Sequence, residues 1–351
     1  MSIGEALLML RRAHGMTQHS VADSASVTQA ALSRYENDIR VPQADAAQAL
    51  ADALGVTLDF LERAGRAEGA LMVDAHMRRR RTAKATTWRR LEARINVYRV
   101  QLGMLARQVD LEPALAMPAF DPLEFAPGDA ARMVRMQWRM PSGPVRDLVG
   151  WVEGAGCVVI AEDFGVLTGG GRVDGLSQWA GDWPVMLVNS RAPTDRLRMT
   201  MAHELGHVCL HSSELGGDPE DEANDFAAEL LMPANEIRSD LRNLTLGKLH
   251  DLKRFWGVSM QALIERAHKL ETVTSAQRTN FYKALSSRGW RTREPLSDEI
   301  TPERPRLARQ IGRALLDGGL TPDEAASVAG MTAGSPLSPF FPQRPRLSAV
   351  E

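Results

Sequence analysis

Two histidines and a glutamate in the run His203-Glu204-Leu205-Gly206-His207 have the spacing of a metal-dependent hydrolase. On a helix, residues four positions apart share one face, so both imidazoles can reach a single ion while Glu204 stays close to a water beside it. Zinc binds imidazole nitrogen readily, and a catalytic zinc site has three protein ligands and one open position. The run therefore predicts a zinc site with His203 and His207 as ligands and Glu204 as the general base.

The third ligand must come from further along the chain. A histidine six residues after His207 would be typical of one class of zinc peptidase, but Ser213 stands there. His211 lies on the same predicted helix, yet two turns after His203 it has drifted about 80° around the helix axis. His211 is therefore a weak alternative.

An acidic run at residues 218–222 opens a second predicted helix and offers a better ligand. Glu220 shares a stripe of that helix with small and apolar residues, which suits packing against the first helix. We expect Glu220 to be the third zinc ligand and Asn224, one turn later, to orient an imidazole by a hydrogen bond. Glu222 remains the alternative ligand, and manganese could replace zinc in vitro.

The first 63 residues carry a second pattern, made of short helices in quick succession. Thr17 and Thr28 stand at N-cap positions before two short helical segments, and Gly15 ends the helix that precedes them. A short helix, a tight turn and a second short helix are typical of the helix-turn-helix, whose second helix enters the major groove of DNA.

These helices contain blocks that resemble the lambda-repressor-like (XRE, Cro/cI) DNA-binding domain, with the likeness covering residues 1–63. The blocks are Leu10-Arg11-Arg12-Ala13-His14-Gly15-Met16-Thr17-Gln18, Val27-Thr28-Gln29, Leu32-Ser33-Arg34-Tyr35-Glu36-Asn37 and Leu50-Ala51-Asp52-Ala53-Leu54-Gly55-Val56. The resemblance implies a five-helix fold that binds an operator, expected as a homodimer. It also implies contacts to phosphate or base edges from Gln18, Thr28, Gln29, Ala30, Ser33 and Arg34.

Charge is unevenly distributed around this domain. Residues 1–63 hold five arginines against eight acids, a net of −3, which favours the alternative of a protein-binding module. Residues 64–110 hold eleven basic residues against four acids, a net of +7, and include Arg78-Arg79-Arg80-Arg81. This adjoining segment and a second copy of the chain would both add phosphate contacts, so DNA binding remains the expectation.

Three later blocks look like the ImmA/IrrE family of metallo-endopeptidases over about residues 145–270. They are Asp182 to Asn189, Asp195 to His207 and Glu220 to Pro233. The resemblance implies a gluzincin-like fold, with a short sheet against the zinc helices and the third ligand at Glu220. Members of that family cleave transcriptional repressors that carry lambda-repressor-like domains. Met199 departs from the family, which usually has an aromatic residue at this position.

Composition limits the class of protein. Hydrophobic residues make up 44% of the chain and charged residues 25%, with a net charge of −2, as in ordinary globular proteins. No apolar run reaches the roughly 18 residues of a membrane span, and the N-terminus does not have a signal-peptide pattern. The two cysteines, Cys157 and Cys209, exclude a disulfide scaffold. We therefore expect a cytoplasmic protein with no membrane partner.

The chain is predicted to be mainly α with a small sheet, an α+β fold in five segments. A helix-turn-helix domain (1–63) is followed by a basic helical connector (64–109) and a proline-rich linker (110–135). A metallopeptidase domain (136–272) with strands near 156–162 and 184–189 comes next. A helical C-terminal extension with a loose tail (273–351) completes the chain.

Together these patterns predict a DNA-bound regulator that changes transcription by cleaving a repressor protein, or itself, in the linker between Asp110 and Asp129. One alternative is a DNA-binding regulator that uses the metallopeptidase fold as a non-proteolytic sensor or interaction scaffold. Another is an antitoxin-like protein that acts by binding a partner. Glu204 favours the peptidase, because a scaffold needs no general base beside its metal.

Overall fold

The computed structural model of the chain describes residues 2–66, 85–165, 173–211 and 217–341. Within these ranges the protein is mostly helical with one three-stranded sheet, which confirms the predicted α+β class. None of the described helices is long and apolar enough to cross a membrane. The arginine run at residues 78–81 lies outside the described residues, so its phosphate contacts stay a prediction.

The N-terminal domain has the five predicted helices. Thr17 and Thr28 cap the second and third helices by accepting hydrogen bonds from the backbone N–H groups of Ser20 and Ala31. Gly15 ends the first helix in the left-handed conformation, with a φ of 71°. The bounds are α1 Ile3–His14, α2 Gln18–Ser24, α3 Gln29–Glu36, α4 Ala44–Ala53 and α5 Leu58–Arg66.

A small sheet forms the middle layer of the protein. Its strands are β1 (Val158–Glu162), β2 (Gly175–Ala180) and β3 (Trp183–Asn189), in the order β1-β3-β2. β3 pairs parallel with β1 and antiparallel with β2. The sequence predicted β1 and β3 but not β2, an edge strand whose burial does not alternate cleanly.

Alternation along β1 and β3 divides the protein into two apolar cores. Val158 and Leu187 face one side, where they join the core that contains the helix-turn-helix domain. Val159 and Met186 face the other side and join the core of the peptidase helices. The sheet therefore separates the DNA-binding half from the predicted zinc helices and contacts both.

The helices of the second core lie on the other side of the sheet. Two of them, α9 and α10, carry the predicted zinc ligands and lie against each other. The bounds are α7 Pro127–Gln137, α8 Leu148–Gly154, α9 Thr194–Leu210, α10 Pro219–Leu231, α11 Ala234–Ile237, α12 Leu246–Trp256 and α13 Met260–Lys269.

The predicted connector contains helix α6 (Ala85–Leu105), which is part of the core rather than a tether. α6 packs against α1 on one side and against β2 and β3 on the other. Tyr98 and Arg94 of α6 both bond to Glu162 at the end of β1, and Arg94 also donates to the carbonyl of Ala13 at the end of α1. α6 thus ties the helix-turn-helix domain to the sheet.

The predicted linker at 110–135 is wrong in two respects. Its C-terminal part begins α7 at Pro127, because proline is well suited to the first turn of a helix, and α7 packs on α10. Its earlier part lies on the peptidase helices: the N–H of Phe120 donates to the carbonyl of Cys209 at 2.8 Å, and the Phe120 ring is buried. Residues 115–137 are therefore packed on these helices and do not form an exposed linker between two domains.

The predicted helical C-terminal extension is present, but as far as residue 341 it is packed on the rest of the protein rather than loose. The C-terminal extension contains α14 (Ser275–Ser287), a 3₁₀ turn (Ser297–Glu299), α15 (Leu307–Asp317) and α16 (Pro322–Val328). α15 packs on β1, and the backbone after α16 pairs with the N-terminal domain, where Thr57 N–H donates to the carbonyl of Gly330 at 2.9 Å. The extension therefore clamps the helix-turn-helix domain to the sheet; residues 342–351 lie outside the described part.

Gly330 offers a test of this clamp. Its φ is 74°, and a Cβ there would lie 2.7 Å from the Phe60 ring and 2.9 Å from the Met104 sulfur. Gly319 has a φ of 97° but has no heavy atom within 4 Å of its Cβ position. We expect Gly330→Ala to lower the free energy of unfolding by about 1–3 kcal/mol more than Gly319→Ala, because only the first overpacks a core. Urea unfolding measures the difference, and equal effects would contradict the packing described.

Candidate metal centre

Three side chains from α9 and α10 converge on one point. The Nε2 atoms of His203 and His207 are 3.1 Å apart, and carboxylate oxygens of Glu220 lie 3.7 Å and 3.5 Å from them. A tetrahedral zinc ion with nitrogen and oxygen ligands at its usual distances spaces those ligand atoms about 3.3 Å apart. The chemistry and the spacing of this His-His-Glu cluster therefore fit a zinc ion.

Close packing of α9 and α10 makes this convergence possible. A Cβ at Gly206 would lie 3.1 Å from the Cα of Ala223, so a larger residue at either position would separate the helices. Asp218 caps α10 by accepting the N–H of Glu220, and Pro219 occupies the first turn. Glu220 consequently stands at the N-terminal end of α10, where its side chain meets the histidines.

Glu204 lies beside the cluster and is held by a residue that the sequence analysis missed. The hydroxyl of Ser177 on β2 donates to one Glu204 carboxylate oxygen at 2.8 Å. β2 passes so close to α9 that a Cβ at Gly175 would lie 2.7 Å from the Thr200 methyl group and 3.4 Å from Glu204. Predicting β2 would have been the way to find Ser177.

Electrostatics at the cluster favour a positive charge. Burial lowers the pKa of His207, but the hydrogen bond that its ring donates to Glu220 and the negative charges of Glu204 and Glu220 outweigh burial, so the pKa is raised. The same carboxylates that favour a proton on His207 would favour a cation between the ligand atoms.

The remaining sequence-predicted residues lie around the ligands rather than among them. The Oδ1 atom of Asn224 is 3.0 Å from His203 Nδ1, within hydrogen-bond distance of the ring as expected. His211 and Glu222, the two alternative ligands, are not part of the cluster. His211 instead contacts the far side of the His207 ring, with Nδ1 atoms 2.9 Å apart, and its own Nε2 lies 2.8 Å from Glu222.

A cleft of about 640 Å³ opens over the cluster and has walls from outside the predicted 136–272 domain. Trp88 of α6 and Arg291 of the C-terminal extension both line it, as does the Asp174–Arg196 ion pair. Arg196 and Arg291 are the arginines among the residues that line the cleft, and either could stabilise negative charge on a bound substrate.

Buried charge holds the C-terminal wall of the cleft in place. Lys253 is fully buried and bonds to Asp195 on α9, to Glu294 and to Ser297. Glu294 also accepts the N–H of Met260 at the start of α13. Because all of its strong donors and acceptors are paired, this network can remain in a low-dielectric interior and fix residues 294–297 to the zinc helices.

The predicted DNA-contacting residues form one surface of the N-terminal domain. Thr28, the N-cap of α3, and Gln29, Ala30 and Arg34 on α3 are exposed, while Gln18 and Ser33 are half-buried. Gln29 donates to the side-chain oxygen of Gln18 at 2.7 Å, and Gln18 donates to the buried Glu36 at 2.8 Å. The two glutamines are therefore held in position by hydrogen bonds within the domain.

Comparison with known families agrees with both halves of this description. Residues 7–61 match the helix-turn-helix family model, and residues 152–268 match the model of the IrrE N-terminal-like domain, a peptidase family. The chain joins a helix-turn-helix domain to an IrrE-type peptidase domain. Both resemblances predicted from the sequence are thus confirmed. The search of curated proteins found no match.

The metal ligands can be tested by comparing two glutamates of α10. We expect Glu220→Ala to weaken zinc binding by more than 100-fold, because it removes an atom that would contact the ion, whereas Glu222→Ala removes a group outside the cluster and costs about 10-fold or less. Competition with a colorimetric chelator measures both dissociation constants. Equal dissociation constants for the two variants would contradict Glu220 as the ligand.

Proposed function

We propose that this protein is a cytoplasmic DNA-binding transcriptional regulator with a zinc-dependent endopeptidase activity that cleaves a repressor protein. The observation that carries the proposal is the position of Glu204, a buried carboxylate held beside the His203-His207-Glu220 cluster on a chain that also has a helix-turn-helix domain. A site that only stored or sensed a metal would not need this carboxylate. Binding to an operator as a homodimer is part of the proposal.

Zinc would be held by His203, His207 and Glu220, and when bound it supplies a Lewis acid that lowers the pKa of water and polarises a peptide carbonyl. Glu204 would accept the proton of the attacking water and then deliver it to the leaving amine. The Ser177 hydroxyl restrains the carboxylate by holding one of its oxygens, so that Glu204 does not have to be ordered again in each cycle.

A separate repressor is a better substrate than the chain itself. A peptidase needs an extended strand that can enter the cleft, and the chain around Phe120 is bonded to the peptidase helices and partly buried. The helix-turn-helix domain supports the same choice, because it would hold the peptidase on DNA where a repressor also binds and so raise their effective concentration. Self-cleavage between Asp110 and Asp129 is consequently the minor expectation.

A second candidate is a sensor that responds to metal or ligand without proteolysis. It is favoured by the direct contact between the two halves: Tyr98 and Arg94 of α6 bond to Glu162 on the sheet, and Arg94 also reaches Ala13. A change at the zinc helices could therefore bias the DNA-binding half through packed elements. The presence of Glu204 makes the peptidase the preferred proposal.

Proteolysis can be tested with the conservative variant Glu204→Gln. We expect the wild-type protein with zinc or manganese to cut a repressor encoded beside it, and Glu204→Gln to do so at least about 100-fold more slowly, because the amide cannot act as a base. Mass spectrometry of both proteins and of the repressor identifies the fragments. Zinc binding should be equal in the two proteins, since Glu204 is not a proposed ligand. Absence of cutting of either chain by zinc-loaded wild type would favour the sensor.

DNA binding can be tested on the exposed face of α3. We expect Gln29→Ala and Arg34→Ala each to weaken binding to the protein's own upstream region by about 10-fold or more, because each removes a base or phosphate contact. Gln48→Ala, an exposed glutamine on α4, and Glu204→Gln serve as controls that should bind normally. Gel shifts measure all four. Wild-type affinity in both α3 variants would contradict the predicted DNA face.

A further inference from the structure

We infer that His211 and Glu222 act as a pair that fixes the tautomer of His207, so that its Nε2 lone pair points to the metal. We call these two residues the His211–Glu222 pair. They are positioning residues, because they would act on the metal only through His207. The inference rests on the proposed zinc centre and assigns a function to two residues that the metal cluster does not include.

The pair lies directly behind a proposed ligand, with His211 buried and Glu222 half-buried. The His211 side chain is 1% exposed and lies just after the last turn of α9, while Glu222 is in the first turn of α10. His211 Nδ1 is 2.9 Å from His207 Nδ1, and His211 Nε2 is 2.8 Å from a Glu222 oxygen. The other Glu222 oxygen accepts the N–H of Gly217 at 2.8 Å, which fixes the carboxylate.

Hydrogen-bond chemistry assigns a direction to this chain of groups. A carboxylate can only accept, so the nitrogen of His211 that faces Glu222 must carry the proton. The Nδ1 of a neutral His211 is then an acceptor, and the group that donates to it is the Nδ1–H of His207. With its proton on Nδ1, His207 has its lone pair on Nε2, which is the atom that lies 3.5 Å from Glu220 and 3.1 Å from His203 Nε2.

The same logic holds for the other histidine with a different partner. His203 Nδ1 faces the amide oxygen of Asn224 at 3.0 Å, and an amide oxygen accepts, so Nδ1–H donates and Nε2 is left for the metal. Both imidazoles would thus be set before metal arrives. The geometry also explains why His211 and Glu222 would not be ligands: one ring nitrogen of His211 faces Glu222, and the other faces the Nδ1 side of His207, which points away from the metal position.

The test compares variants that keep or remove the acceptor at His211 Nδ1. In His211→Asn the amide oxygen is attached to Cγ, as Nδ1 is, and can still accept from His207. His211→Leu is similar in size but has no acceptor. Glu222→Leu removes the group that fixes His211, and Asp221→Leu, an exposed neighbour on α10, is the control.

Two readouts are needed on the full chain. Chelator competition gives the zinc dissociation constant, and long-range proton–nitrogen NMR of the metal-free protein, at a pH high enough for His207 to be neutral, gives the tautomer of His207. We expect His211→Leu to weaken zinc binding by about 10–100-fold, Glu222→Leu to weaken it less, and His211→Asn and Asp221→Leu to stay within about 3-fold of wild type. We also expect the proton on Nδ1 of His207 in wild type and in His211→Asn, and a mixture of tautomers in His211→Leu.

The outcomes separate this inference from the proposed function. If wild type binds zinc and His211→Leu binds it equally tightly, the inference is wrong and the metal centre stands. A His207 proton on Nε2 in the metal-free wild type would also overturn the inference. If wild type binds no zinc, the proposed peptidase fails, and the NMR result still decides the tautomer. If His211 had only a structural role, His211→Asn would have a lower melting temperature and would bind zinc as weakly as His211→Leu. That result would also overturn the inference.

Discussion

The site depends on the close approach of α9 and α10 at Gly206 and Ala223. A Cβ at Gly206 would be 3.1 Å from the neighbouring Cα, and this contact lets the first turn of α10 bring Glu220 within 3.7 Å of both imidazoles. A metal site needs its ligand atoms correct to a fraction of an ångström, and two rigid helices supply that precision better than loops do. The packing of small residues is therefore what makes the carboxylate a partner of the histidines.

Around the cluster, each functional side chain has a partner from a different element. β2 restrains Glu204 through Ser177, α10 restrains His203 through Asn224, and the pair behind His207 comes from the adjoining ends of α9 and α10. Such outer partners set orientation and tautomer, so the geometry of the site does not have to be assembled when metal or substrate arrives.

The sheet connects the two halves of the protein directly through packing contacts. Alternating residues of β1 and β3 face α9 on one side and α6 on the other, and α6 continues the core to α1. A linker cut to release the DNA-binding half would not by itself separate them, because α6 and the C-terminal clamp would still hold. Communication through packing, or cleavage of another protein, fits this architecture better than self-removal.

The sequence by itself determined the features that depend on short spacing. Helix periodicity placed His203 and His207 on one face with Glu204 close beside them, and N-cap chemistry located α2 and α3, because these effects act within one or two turns of the chain. The acidic run and the stripe of small and apolar residues on one helix also favoured Glu220 as the third ligand. Tertiary structure decided the rest. Ser177 lies on a strand whose sequence has no clear alternation. His211 was a candidate ligand in the sequence, and only the packing of α10 shows that its Nε2 faces Glu222 instead. The proline-rich sequence near Phe120 likewise contains no pattern that predicts its packing on the end of α9. These outcomes depend on contacts between residues far apart in the chain, which no local pattern encodes.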